Sequence, residues 1–196
     1  MIRKILFSLF VFALSAAAFA ASSYSQIETH GVYIDGRFGY GRINGTPTPG
    51  TNAKNGDFAW GGDIGYQINP YFAFDGGAMI MPKITVDTTT ASSVTAADTN
   101  YLTDVALKGL LPFGSGQRGD LYAKLGAAYM HIDMKDGYSM NGITGNKSAF
   151  SPYGAVGISW AVYPNIRIFA QAESTLKARS IPVMYLGTVG LAYYFY

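Results

Sequence analysis

Apolar side chains recur at every second position along most of this chain, and that period dictates extended backbone. In GYQINPYFAFDGGAMIM, residues 65–81, the even positions Tyr66, Ile68, Phe72, Phe74 and Ile80 are apolar. The odd positions Gln67, Asn69, Ala73, Asp75 and Gly77 are polar or small. Alternation on both sides of Asn69-Pro70-Tyr71 reads as a hairpin, because Pro fixes the turn and lacks the donor a central strand needs. Eight segments of this kind can be marked, at about 31–43, 57–69, 71–83, 101–111, 120–133, 149–163, 165–173 and 183–196.

The links between them alternate in length. Residues 69–71, 112–119 and 163–165 are tight or Pro-marked, whereas 44–56, 84–100, 135–148 and 174–182 are longer and polar. Strands that run up and down a membrane barrel have short turns on the periplasmic side and longer loops outside. An even strand count puts both chain ends on the turn side. The Thr/Ser/Ala stretch at 88–98 reads as an exposed loop able to carry recognition.

Alternation alone does not say whether the apolar face turns inward or outward. Composition decides. Charged residues are 13% of the chain, about half the ~25% usual in soluble proteins, while aromatics reach 15% and glycines number 24. The polar face carries one or two charges per strand among Gly, Ala and Ser. That suits the cramped inside of an eight-strand barrel, not a solvent-facing exterior. The apolar face is therefore expected to meet lipid, and a soluble lipocalin-like carrier is the rejected alternative. Trp60 and Trp160 both fall on it, near opposite ends of strands that run the same way, and are expected to mark the two interfacial belts.

The N-terminus supports export. Arg3 and Lys4 precede an apolar run that ends in Ala18-Phe19-Ala20, the pattern of a secretory signal peptide over residues 1–20. Residues 21–196 are then the barrel domain. Of 14 Lys and Arg, two lie in the leader, leaving 12 against 12 Asp and Glu. The mature side chains are thus balanced, and no basic patch exists to carry a nucleic-acid function. There is no cysteine, so no disulfide framework.

Four segments carry a family resemblance: GYQINPYFAFDGGAMIM, LKGLLPF followed by DLYAKLGAAY, SPYGAVGISWAVYPNIRI, and GTVGLAYYF. In that order they resemble the eight-stranded membrane domain of the outer-membrane protein A family. The layout is similar to that of single-domain opacity-like surface proteins, without the periplasmic domain that many family members carry. The resemblance implies a Gram-negative outer-membrane protein with charged side chains interlocked across its lumen. Asp75, Lys108 and Lys124 fall on lumen positions charged in the family, and Asp75 is expected to pair with Lys108 or Lys124. Asp35, Arg37, Asp63, Arg167 and Glu173 are further lumen candidates. Ser159 and Phe169 depart from the pattern, standing where a glutamate and an arginine are expected. Val189, Leu191, Tyr193, Phe195 and the terminal Tyr196 resemble the signal read by the barrel-assembly machinery, although such signals usually end on the aromatic of the alternating series, whereas here Tyr196 follows Phe195.

Catalytic and metal chemistry find no foothold. Nucleophilic catalysis needs a base held against a Ser or Thr. His30 precedes the first strand, and His131 faces the apolar side in His131-Ile132-Asp133, not in the His-x-Ser pair of barrel deacylases. No cysteines, paired histidines or calcium-loop spacing suggest a metal. The GxG runs lie inside strands, where no helix follows to hold a phosphate. The expected product is a non-enzymatic barrel without cofactor, in contact with outer-membrane lipid and lipopolysaccharide, which stabilises the envelope and presents its loops outside; the resemblance to the family, not the residues themselves, implies that those loops contact host cells or phage. A narrow channel for small solutes is the alternative function.

Overall fold

The computed structural model describes residues 30–44, 52–54, 56–81, 83–87, 93–134, 145–177 and 181–195. The leader at 1–20 and Tyr196 lie outside them. Ten strands are described: β1 Gly31–Ile43, β2 Asn52–Lys54, β3 Gly56–Asn69, β4 Phe72–Ile80, β5 Ile84–Asp87, β6 Ser93–Phe113, β7 Gly119–Met134, β8 Asn146–Tyr163, β9 Ile166–Thr175 and β10 Met184–Phe195. Eight of them pair antiparallel in the order β1-β3-β4-β6-β7-β8-β9-β10. β10 pairs back onto β1, with Tyr33 opposite Tyr194 and Ile43 opposite Met184, so these eight strands close into a barrel.

The two additional strands revise the reading of the second loop. β5 and the start of β6 form a ladder from Ile84–Ala97 to Asp87–Ser93, and β2 adds to β5. The second link is therefore partly a hairpin extending the barrel wall, not simply an exposed loop. Its Thr and Val residues favour extended backbone, and beyond the bilayer no lipid imposes the alternation that would have marked them.

Each short turn has its own chemistry. The Oδ1 of Asn69 accepts from the backbone N–H groups of Tyr71 (2.8 Å) and Phe72 (2.9 Å), closing the β3–β4 hairpin around Pro70. The β6–β7 link is a single 3-10 turn, Ser115–Gln117, entered through Gly114 at φ 80. At 163–165, Asn165 donates to the Tyr194 carbonyl and accepts from the Tyr194 N–H, holding the turn against β10.

Side-chain direction settles what the apolar stripe touches. Phe74, Ile158 and Leu191 are 51%, 45% and 57% exposed, while the adjoining Asp75, Ser159 and Ala192 are 0%, 8% and 7% exposed. Large apolar side chains on all eight barrel strands point outward in this way. Such a continuous apolar exterior has no place in water and matches the lipid-facing band of a transmembrane barrel.

Rings inside the barrel lie over glycines on neighbouring strands. The Tyr33 ring covers Gly65, where any β-carbon would run into it. Gly65→Val is expected to push Tyr33 off Asp75 and lower stability by about 1–3 kcal/mol, the usual cost of overpacking. The shift in urea midpoint of the protein folded in lipid vesicles measures it.

Candidate functional site

The lumen is built in three layers. Near the loop ends of their strands, Ile43, Met79, Leu102, Met130, Ile132 and Met184 are buried together as one apolar cluster. Near the turn ends, Tyr33, Leu110, Tyr122, Phe169 and Tyr194 belong to a second cluster, with Tyr33 and Tyr194 stacked at 4.9 Å. Between the two lies a belt of charged side chains. Strand alternation is what delivers them there: each belt residue shares its parity with the small residues of its strand, and the opposite parity is apolar.

Two cations organise the belt. The Lys124 Nζ lies 2.7 Å from Asp63 and 2.9 Å from Asp75, and Asp75 also accepts from the Tyr33 hydroxyl at 2.9 Å. The Arg37 guanidinium lies 2.7 Å from Asp63, 3.6 Å from Asp104 and 3.8 Å from Glu173. Glu173 is held in turn by the Tyr153 hydroxyl (2.6 Å), Gln171 Nε2 (3.1 Å) and Thr188 (3.4 Å). Asp35 is half-buried and accepts from the Asp63 backbone N–H at 3.1 Å. In a tube this dry, charges persist only when paired and hydrogen-bonded, and these mostly are.

Of the two partners expected for Asp75, the structure brings Lys124. Lys108 is instead met by aromatic faces, 5.0 Å from the Tyr33 ring and 4.4 Å from the Tyr122 ring. Arg167 forms an ion pair with Asp120 near the turn end and lies 5.5 Å from the Tyr194 ring. Ser159, at one of the two departures from the family pattern, donates to the same Asp120 at 3.1 Å, and Phe169, at the other, joins the turn-end apolar layer. Beneath the belt a cavity of about 10 Å³, room for one water, is lined by Asp35, Lys108, Tyr122 and Arg167 among others.

The candidate list drawn from the sequence lacked Asp104 and Asp120, and with them the lumen tyrosines and Gln171. Their signal was parity. Asp104 alternates in step with Lys108, and Asp120 in step with Lys124, so counting by twos from either lysine finds them.

The outward candidates lie on the lipid side. Trp60 and Trp160 are both exposed, Trp160 at 5.8 Å from the Phe113 ring beside the Gly114 turn and Trp60 opposite Phe38 and Ile80. Val189, Leu191, Tyr193 and Phe195 face outward along β10. His30 is exposed. His131 stacks on Tyr101 at 4.8 Å, with its Nδ1 2.7 Å from the Ser148 hydroxyl, on the same outward face.

This geometry agrees with the comparisons to known proteins. Residues 9–183 match the family model described as outer membrane protein beta-barrel domain. No curated protein sequence matches the chain. Among solved structures, the outer membrane protein OprG from Pseudomonas aeruginosa is similar with a TM-score of 0.57 at 14% identity, covering 85% of this chain and 96% of its own. The N-terminal β-barrel domain of OprF from Pseudomonas aeruginosa gives 0.55 at 12% identity, covering 84% and 98%. Neisserial surface protein A gives 0.52 at 17% identity, covering 84% and 97%. At these identities the neighbours speak for the fold alone. The closed eight-strand barrel, its apolar exterior and the family match together place the protein in the bacterial outer membrane, and the chain belongs to the outer membrane protein beta-barrel domain family.

Proposed function

We propose that the protein is a non-conducting, non-enzymatic wall element of the outer membrane, which stabilises the envelope and displays its loop-end segments at the cell surface. The observation that carries this reading is the closure of the lumen. Lys124, Asp63, Asp75 and Glu173 are 2%, 4%, 0% and 3% exposed, so this part of the ionic belt is packed among side chains and does not line an open bore. A conduit would need those side chains wetted, as the polar interior of a porin is. Charges that interlock strands across a small barrel stiffen its wall, the service expected of an envelope element.

The partners follow from the surfaces. Lipid, including lipopolysaccharide in the outer leaflet, covers the exterior, and the barrel-assembly machinery recognises the alternating β10 pattern from Val189 to Phe195. Host or phage ligands would meet the loop-end segments, including the β5–β6 extension. Planar-bilayer recordings of the purified protein test the closed lumen. Silence at moderate voltage is the expected result; steady single-channel currents would replace this reading with the narrow-channel one.

A further inference from the structure

One stretch of the exterior differs from the rest. At the loop ends of β6, β7 and β8, aromatic and imidazole rings run in unbroken contact across the outward face. Phe150 lies 5.1 Å from Tyr129, Tyr129 lies 6.5 Å from Tyr101, and Tyr101 stacks on His131 at 4.8 Å. Among the described residues the other outward ring contacts are isolated pairs, Phe38 with Phe58, Phe113 with Trp160 and Tyr193 with Phe195. Strand pairing builds the run. Tyr101 is opposite His131 and Tyr129 opposite Phe150, so parity sends every ring to the same side.

One flank of the run is open. The pairing of β9 with β8 ends beside Pro152, whose carbonyl accepts from the Leu176 N–H at 3.0 Å. Phe150, next along the outward face, is 75% exposed, the highest value among the described large apolar side chains.

A polar fringe sits above the rings. The His131 Nδ1 is 2.7 Å from the Ser148 hydroxyl, and Asp133 stands opposite Asn146 nearer the loops. Ser148 and Asn146 are exposed and Asp133 is half-buried. The fringe thus offers hydroxyl, amide, imidazole and carboxylate groups without a Lys or Arg. Lys147 has the opposite parity and stands across from the buried Ile132. A bare phosphate is repelled by Asp133, whereas neutral hydroxyl groups, which both donate and accept, suit every member of the set. Aromatic faces are electron-rich and take the C–H face of a sugar ring. Below the rings the apolar exterior continues through Val105, Leu107 and Leu125, so a molecule seated here has its other end in hydrocarbon. A headgroup of hydroxyls on an acyl anchor is a glycolipid.

We propose that the face formed by Phe150, Tyr129, Tyr101 and His131, with Ser148, Asn146 and Asp133 above it, seats the saccharide headgroup of a glycolipid in the outer leaflet. This seat rests on the reading that lipopolysaccharide lies against the exterior, and adds which part of the lipid is held and where. Bilayer currents would unseat the wall-element reading without touching the site. Loss of sugar preference in a folded barrel would remove the site and leave that reading standing.

The test follows urea unfolding of the full barrel in phosphatidylcholine vesicles. These carry, at equal mole fraction, rough lipopolysaccharide, the neutral glycolipid digalactosyl diacylglycerol, or phosphatidylglycerol. Both sugar-bearing lipids are expected to raise the urea midpoint above that in phosphatidylcholine alone, and phosphatidylglycerol to leave it unchanged. Tyr101→Leu keeps the face apolar but breaks the run of rings; it is expected to match the wild type in plain phosphatidylcholine and to lose the gain. In detergent, native mass spectrometry is expected to show digalactosyl diacylglycerol retained by the wild type at about three- to tenfold lower concentration than by Tyr101→Leu, the loss of one aromatic contact. An equal gain from phosphatidylglycerol would overturn the proposal, because charge and not sugar would then be read. So would a gain that survives in Tyr101→Leu, or no gain from either glycolipid. Free digalactose retained as tightly as the lipid would also overturn it, by assigning the face to a soluble glycan.

Discussion

Lys124→Met is expected to lower the stability of the folded barrel by about 3–5 kcal/mol, the usual cost of removing one partner from a buried ionic cluster. Among the described residues Lys124 is the cation in contact with Asp75, at 2.9 Å, and it shares Asp63 with Arg37, at 2.7 Å. Among the described residues its loss leaves Asp75 with the Tyr33 hydroxyl and adds an uncompensated charge to a belt already rich in carboxylates. The double variant Lys124→Met with Asp75→Asn is expected to recover a substantial part, because the stranded charge goes with its partner. Urea unfolding in lipid vesicles, followed by tryptophan fluorescence, reads both. A loss below about 1 kcal/mol in the single variant would mean that the belt is wet, since solvated pairs are worth no more than that.

Charge placed on the exterior gives the second large effect, and it depends on depth. Leu107 lies midway along the membrane part of β6, beside Phe74 and Leu125, and is 53% exposed. Leu107→Arg is expected to cost about 2–4 kcal/mol, the penalty for a cation near the bilayer midplane. Tyr185 stands at the loop end of β10 opposite Arg42, which is itself exposed. There Tyr185→Arg is expected to cost about 0–1 kcal/mol, because the guanidinium reaches the headgroups. Equal costs at the two sites would deny that the exterior has a hydrocarbon middle. The same unfolding assay in vesicles separates them.

Most of the barrel was legible because lipid and lumen enforce strict alternation. A strand such as β9, with Ile166, Ile168 and Ala170 outward and Arg167, Phe169 and Gln171 inward, has only one register that keeps charge out of lipid. Legibility ended where that constraint ended. β2, β5 and the first part of β6 form a ladder beyond the eight membrane strands, so their sequence reads as a link. Pro112 likewise suggested a turn, yet β6 runs through it to Phe113 at the end of the wall, where one missing donor costs little.

Within the lumen, parity named which charges point inward but not which ones meet. Lys108 and Lys124 are directly opposite on β6 and β7, and both were open to Asp75. The choice fell on Lys124 because aromatic rings from β1 and β7 take the Lys108 ammonium. Such partner selection comes from contacts between strands far apart in sequence, and no local pattern records it. Asp120 with Arg167 is a second case, joining β7 to β9 past the intervening β8.

That hydrocarbon surrounds the barrel and the ionic groups lie within it is tested most directly by the two native tryptophans, with no label introduced. Trp60 and Trp160 are the chain's only indoles, and both face outward. In vesicles of brominated lipids, their fluorescence is expected to be strongly quenched, most by bromines near the headgroups, and little affected by acrylamide. Trp160→Phe then leaves Trp60 alone, which is expected to be quenched in the same way. Efficient quenching by acrylamide, with none from any brominated chain, would contradict the orientation.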